Sequence, residues 1–113
     1  MKVMTTTSCC GNAEGQGSPP TYRRRIVKRS ALVLGENDVL YFDGSHIAMP
    51  GTDVDYLING VLPTLKKGVW VQINDIFLPY GYPDVWQWRG YNEQNMVAVI
   101  LAGGERFSVR FAS

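Results

Sequence analysis

The sequence predicts an α/β protein with a mostly parallel sheet. Short apolar runs typical of strands alternate with segments of helical periodicity, in the order strand, helix, strand, loop, helix, strand. Strands that alternate with helices are joined by right-handed crossovers, which make neighbouring strands parallel. The predicted strands are residues 39–43, 69–73 and 107–111.

The chain begins without such a pattern. Residues 1–21, "MKVMTTTSCCGNAEGQGSPPT", are rich in Thr, Ser, Gly and Pro, which predicts a flexible tail before a domain over residues 22–113. Residues 22–34, "YRRRIVKRSALVL", indicate one strand or two short ones.

The first well-defined unit is a strand followed by a helix. The run "VLYFD" at 39–43 is typical of a buried strand in a parallel sheet. Thr52, or Gly51 before it, can cap a helix whose first turn holds two aspartates. Pro63 should kink or end this helix. Its apolar residues have the spacing of one helical face, and they are Val54, Leu57, Ile58, Val61, Leu62 and Leu65.

The second unit starts with the strand "VWVQI" at 69–73. A long loop rich in aromatic and polar residues follows. Asn92 is a natural N-cap for the next helix, and Glu93 suits its positive end. Residues 96–101 are apolar almost all round, so this helix should be buried. The last strand, "FSVRF" at 107–111, alternates apolar and polar residues.

Composition excludes several classes of protein. No apolar run approaches the ~18 residues of a membrane span, and no apolar h-region follows Met1, so neither a membrane partner nor a signal peptide is predicted. Cys9 and Cys10 are the only cysteines. Neighbouring cysteines cannot easily pair, and no second pair exists for a disulfide framework or a zinc site. These features predict a cytoplasmic protein.

Charge is unevenly spread along the chain. Residues 1–29 hold six basic side chains and one acidic one, whereas residues 30–113 hold five basic and nine acidic ones. Such a basic arm could be solvated, could dock on its own body or a sister subunit, or could contact nucleic acid. Nucleic acid is disfavoured as a partner because only Tyr22 stands among the basic residues as a stacking group.

Three motifs resemble a known family. They are "DGSH" at 43–46, "NDIFLPYGYP" at 74–83 and "YNEQ" at 91–94. Together they make residues 38–111 resemble the C-terminal half of a class I S-adenosylmethionine-dependent methyltransferase. The resemblance implies a partial Rossmann-like sheet, with 39–43 and 69–73 as the family's fourth and fifth strands.

The resemblance leaves out the cofactor half of the family. The chain has no G-x-G-x-x-G motif, and the Gly-rich stretch at 9–17 has no strand before it and no helical pattern after it. We therefore expect no cofactor, and in particular no S-adenosylmethionine. A half-sheet leaves open strand edges, which invite pairing with another chain, so we expect a homo-oligomer, with a dimer as the commonest form.

Two aspartates define the candidate site. Asp43 and Asp75 each follow a strand, and neighbouring parallel strands would bring both to one edge of the sheet. With His46 they could bind a divalent metal, act as acid and base, or only cap loops. By resemblance, carboxylates here hold metal or substrate in some relatives, although Asn74 replaces the family's usual histidine. The binding candidates are Asp43, His46, Asp75, Arg89, Asn92 and Glu93.

Aromatic residues of the loop could line a ligand site or a subunit interface. We favour the interface because the predicted fold is incomplete. The interface candidates are Tyr80, Tyr82, Trp86, Trp88 and Tyr91.

Three functions are compatible with these features. The first is a non-catalytic, oligomeric binding or interaction module. The second is a methyltransferase or metal-assisted enzyme whose site another chain completes. The third is nucleic-acid contact through the basic arm.

Overall fold

The computed structural model describes residues 2–6 and 31–112 of the chain. In this part, four strands form one parallel sheet in the order β2-β3-β1-β4. The prediction of an α/β fold with a parallel sheet is confirmed. The strands are β1 (Lys2–Thr6), β2 (Val39–Phe42), β3 (Trp70–Asn74) and β4 (Ser108–Ala112).

Strand β1 corrects the prediction of a tail for residues 2–6. It pairs with β3 on one side and with β4 on the other, so it lies inside the sheet. The segment "KVMTT" contains β-branched residues that favour strands, but five residues are too few to show a period. Both strands that pair with it lie far along the chain. The rest of the predicted tail, with Cys9, Cys10 and most of the basic arm, lies outside the described residues.

Pro63 ends the first helix as predicted. Helix α1 (Asp53–Tyr56) begins at Thr52, whose hydroxyl accepts a hydrogen bond from the Asp55 amide. It continues as a π-helical turn (Leu57–Val61) and a 3-10 turn (Leu62–Thr64). A proline inside a helix has no N–H and clashes with the carbonyl four residues before it, so the α-helical ladder cannot continue through Pro63.

Helix α2 (Glu93–Ala102) is less buried than its apolar sequence predicts. Val97 is buried, but Val99 is 67% exposed and Met96 lies at the surface. The helix packs with one side on the sheet, and no described residue covers the other side fully. Residues 31–33 are helical, which corrects the strand predicted at the end of residues 22–34.

The helical segment at 53–64 and helix α2 pack on the same face of the sheet. Val71 and Ile73 of β3 meet Leu62 from the first segment and Val97 from α2 in one apolar layer. Because side chains alternate along a strand, Val71 and Ile73 share this face. Among the described residues, this apolar layer covers one face of β3, and Asp43 and Asp75 follow their strands at the carboxyl ends.

Strand β2 is an edge strand within the described part of the sheet, as expected. Its Val39 and Tyr41 side chains are more than half exposed. The expected homo-oligomer stays a prediction. Among the described residues, no helix combines the length and the apolar character needed to cross a bilayer.

Candidate functional site

Asp43, His46 and Asp75 converge at the carboxyl edge of the sheet. His46 Nε2 lies 3.4 Å from Asp43 Oδ1 and 3.7 Å from Asp75 Oδ2. One ligand atom from each residue can be chosen so that all three lie within 4.8 Å of one another. The prediction that neighbouring strands bring the two aspartates to one edge is confirmed, since β2 pairs with β3 in parallel register.

The backbone is unusual at two of these residues. His46 has φ of 57° and Asp75 has φ of 54°, both in the left-handed region. Non-glycine residues adopt this conformation rarely, and such strain is concentrated at functional sites. Asp53 holds the first of these turns, because its carboxylate accepts hydrogen bonds from the Ser45 amide and hydroxyl.

Glu93 supports His46 from behind. Its Oε2 atom lies 2.9 Å from His46 Nδ1, on the opposite side of the ring from the two aspartates. Glu93 is fully buried and His46 is 5% exposed. A carboxylate at Nδ1 holds the proton there, which leaves Nε2 free to act as a ligand atom. The sequence names Glu93 as a binding candidate and as a residue suited to the helix dipole, but not as a partner of His46, so this contact is a finding of the structure.

The protonation of this pair reflects burial and charge together. Burial lowers the pKa of His46, but the hydrogen bond and charge of Glu93, with the charges of Asp75 and Asp43, outweigh it, so the pKa is raised above 6.5. Burial raises the pKa of Glu93 above 4.5, and the contact with His46 offsets only part of that effect. In the absence of a cation, His46 at this site therefore holds its proton more strongly than a histidine exposed to water does.

Raising the pH should destabilise the protein when divalent cations are removed with a chelator. The folded chain keeps the His46 proton at pH values where the unfolded chain has released it. The free energy of unfolding should fall from about pH 6.5 upward, by at most ~1.4 kcal/mol per pH unit, until folded His46 also deprotonates. Urea unfolding of the wild type and of His46→Gln measures this slope. An equal slope in both proteins would contradict the prediction.

Asn92 holds the loop that follows β2, and Gln94 holds the loop that follows β3. Asn92 occupies the N-cap position, but its side chain makes no capping bond; its Oδ1 atom instead accepts from the Ala48 amide at 2.6 Å. Gln94 accepts from the Phe77 amide and donates to the Tyr80 carbonyl. Residues in a helix are ~100° apart around its axis, so three consecutive residues can reach two loops and His46. Gln94 belongs to the motif "YNEQ", but it is not among the predicted binding candidates, and its contacts with Phe77 and Tyr80 are a finding of the structure.

Tyr91 and Arg89 form a second layer beside His46. The Tyr91 ring lies 4.7 Å from the imidazole ring, centroid to centroid. Arg89 Nη1 donates to the Tyr91 hydroxyl at 3.1 Å, and its guanidinium lies over Trp86 and Trp88.

The interface candidates therefore divide into two groups. Tyr82, Trp86 and Tyr91 are partly buried and contact one another through ring edges. Tyr80 and Trp88 are 78% and 81% exposed. Only these last two present most of their surface to a partner or ligand.

The donor set fits a divalent transition metal. Two carboxylates and one imidazole mix the ligands preferred by Mn²⁺ with those preferred by Fe²⁺ and Zn²⁺. Ligand atoms bound at ~2.1 Å to one ion are up to ~4.2 Å apart, so small side-chain rotations would suffice. Without a cation, His46 is a poor general base, because its Nε2 faces two carboxylates that favour its protonated form.

No protein-family model, no curated protein and no solved structure matches the chain. The resemblance to methyltransferases therefore rests on the motifs in the sequence alone.

Proposed function

We propose that this protein is a divalent-cation-binding module, with Asp43, His46 and Asp75 as the ligands. The observation that carries the proposal is the convergence of three ligand atoms around a histidine that a buried carboxylate holds from behind. Buried carboxylates that orient ligand histidines are common in metal sites. Two residues of the cluster, His46 and Asp75, have left-handed backbone, a conformation that is concentrated at functional sites.

The site is open to solvent on one side. The Asp43 side chain is 45% exposed, whereas those of Asp75 and His46 are nearly buried. Three protein ligands leave further coordination positions for an external molecule. A bound cation would supply Lewis acidity to an oxygen atom placed there. The chain's own residues would anchor the ion, orient His46 and limit access to the Asp43 side.

The wider proposal is that the chain is a methyltransferase-like half-domain with this binding role and without methyl transfer. The order of β2 next to β3 supports the ancestry, because the resemblance implies that the family's fourth and fifth strands are neighbours. The exposed side chains of edge strand β2 support the proposed homodimer. An enzyme whose site another chain completes is the alternative, and the exposed Asp43 side of the cluster is where a second chain could contribute.

The direct test is titration of the full chain with Mn²⁺, followed by the electron paramagnetic resonance signal of free Mn²⁺. We expect one ion to bind per chain. His46→Gln should abolish this binding, whereas a Cys9→Ser/Cys10→Ser double variant should keep it, because those thiols lie outside the proposed set. If the free-ion signal never decreases, or if His46→Gln binds as well as the wild type, the proposed function is wrong.

A further inference from the structure

The two oxygen atoms of the Asp43 carboxylate have different neighbours. Oδ1 lies 3.4 Å from His46 Nε2, inside the proposed cation site. Oδ2 accepts a hydrogen bond from the Tyr41 hydroxyl at 3.3 Å. One oxygen therefore faces another proposed ligand, and the other is held by a neutral donor that does not belong to the ligand set.

Strand β2 places Tyr41 where it can make this contact. Leu40 and Phe42 pack against the apolar core, so the alternation of side chains puts Tyr41 on the opposite face of the strand. Asp43 follows β2 directly, two residues after Tyr41, and residues two apart in extended chain share a side. The Tyr41 side chain is 54% exposed, so close packing does not account for its position. The tyrosine ring favours a strand, but phenylalanine favours it as well, so strand formation does not require the hydroxyl.

The hydrogen bond restricts how Asp43 can bind a cation. The two oxygens of one carboxylate are close together, so binding through both suits a large ion with many oxygen ligands, such as Ca²⁺. A site that contains an imidazole suits transition metal ions better, and one carboxylate oxygen is enough for such an ion. Because the Tyr41 hydroxyl engages Oδ2, Asp43 has Oδ1 left for the cation. The contact therefore removes an oxygen that Ca²⁺ would use.

We propose that Tyr41 helps to determine which cation the site takes, by keeping Asp43 bound through Oδ1 alone and so favouring Mn²⁺ over Ca²⁺. This inference rests on the proposed function, because it concerns the selectivity of the same site. Tyr41 is a positioning residue in this proposal, since it acts through Asp43 and not by contact with the ion.

The test compares the full chain with its Tyr41→Phe variant, which loses the hydroxyl and keeps the ring. Each protein is titrated with Mn²⁺, and bound Mn²⁺ is then displaced with Ca²⁺. The electron paramagnetic resonance signal of free Mn²⁺ measures both steps. We expect the ratio of Mn²⁺ affinity to Ca²⁺ affinity to fall about tenfold in Tyr41→Phe, the smaller end of the loss caused by removing a group that orients a ligand. The freed carboxylate can then turn and bind Ca²⁺ through both oxygens.

Tyr80→Phe is the matched control, because Tyr80 is another exposed tyrosine, in the loop that follows β3. It should keep the wild-type ratio of affinities. If Tyr41 only supported the fold, its loss would weaken the binding of both ions equally and leave the ratio unchanged. The inference is overturned if Ca²⁺ displaces Mn²⁺ no more readily from Tyr41→Phe than from the wild type, or if Tyr80→Phe shows the same change. Failure of the proposed function itself shows earlier, as absence of Mn²⁺ binding by the wild type.

Discussion

The Asp75→Asn variant should bind Mn²⁺ at least ~100-fold more weakly than the wild type, since loss of even an orienting group outside the ligand set costs 10–100-fold. Asparagine is the right replacement because it tolerates the left-handed backbone that Asp75 adopts, with φ of 54°. The change removes one negative charge and one strong oxygen ligand while keeping the size of the side chain. Its fold should therefore be retained, and circular dichroism checks this.

Asp84→Asn is the matched control for this experiment. Asp84 is an exposed carboxylate at the start of a second 3-10 helix (Asp84–Arg89), and its side chain accepts a hydrogen bond from Gln87. Its loss changes the net charge by the same amount as the loss of Asp75. If both variants lose affinity equally, the effect is one of overall charge, and Asp75 is not a ligand.

The strands and the two aspartates could be predicted because their signals are local. An apolar run followed by an aspartate identifies both a strand and its carboxyl end, so Asp43 and Asp75 could be placed on one edge from sequence alone. Strand β1 could not be found this way, because Lys2–Thr6 is short and its partners Trp70–Asn74 and Ser108–Ala112 are distant in sequence.

The role of Glu93 could not be predicted for a similar reason. Its partner His46 lies 47 residues away, and a carboxylate in the first turn of a helix already has a sufficient local explanation in the helix dipole. The structure buries this carboxylate completely, which the dipole does not require, since a capping charge interacts well at the surface. Burial is therefore the observation that separates a positioning role from a dipole role.

The Glu93→Ala variant should be the most destabilised single variant of the site. It removes one partner of a buried pair, leaves His46 Nδ1 without its acceptor and creates a cavity in place of a fully buried side chain. Breaking buried pairs in this way costs about 3–5 kcal/mol. Urea unfolding in the presence of a chelator measures the loss without a contribution from bound cation.

Glu93→Gln tests whether Glu93 acts on the cation site as well as on the fold. Glutamine fills the same space, and its carbonyl oxygen can still accept from His46, so the metal-free protein should lose much less stability than Glu93→Ala. Its Mn²⁺ affinity should nevertheless fall 10–100-fold, because a neutral acceptor makes the imidazole a weaker ligand. Asp75→Asn should lower affinity with little loss of metal-free stability, so the contrast with Glu93→Ala distinguishes a ligand from its support. If Glu93→Gln binds Mn²⁺ as tightly as the wild type, Glu93 is only a packing residue and His46 is oriented by Tyr91 and its own backbone.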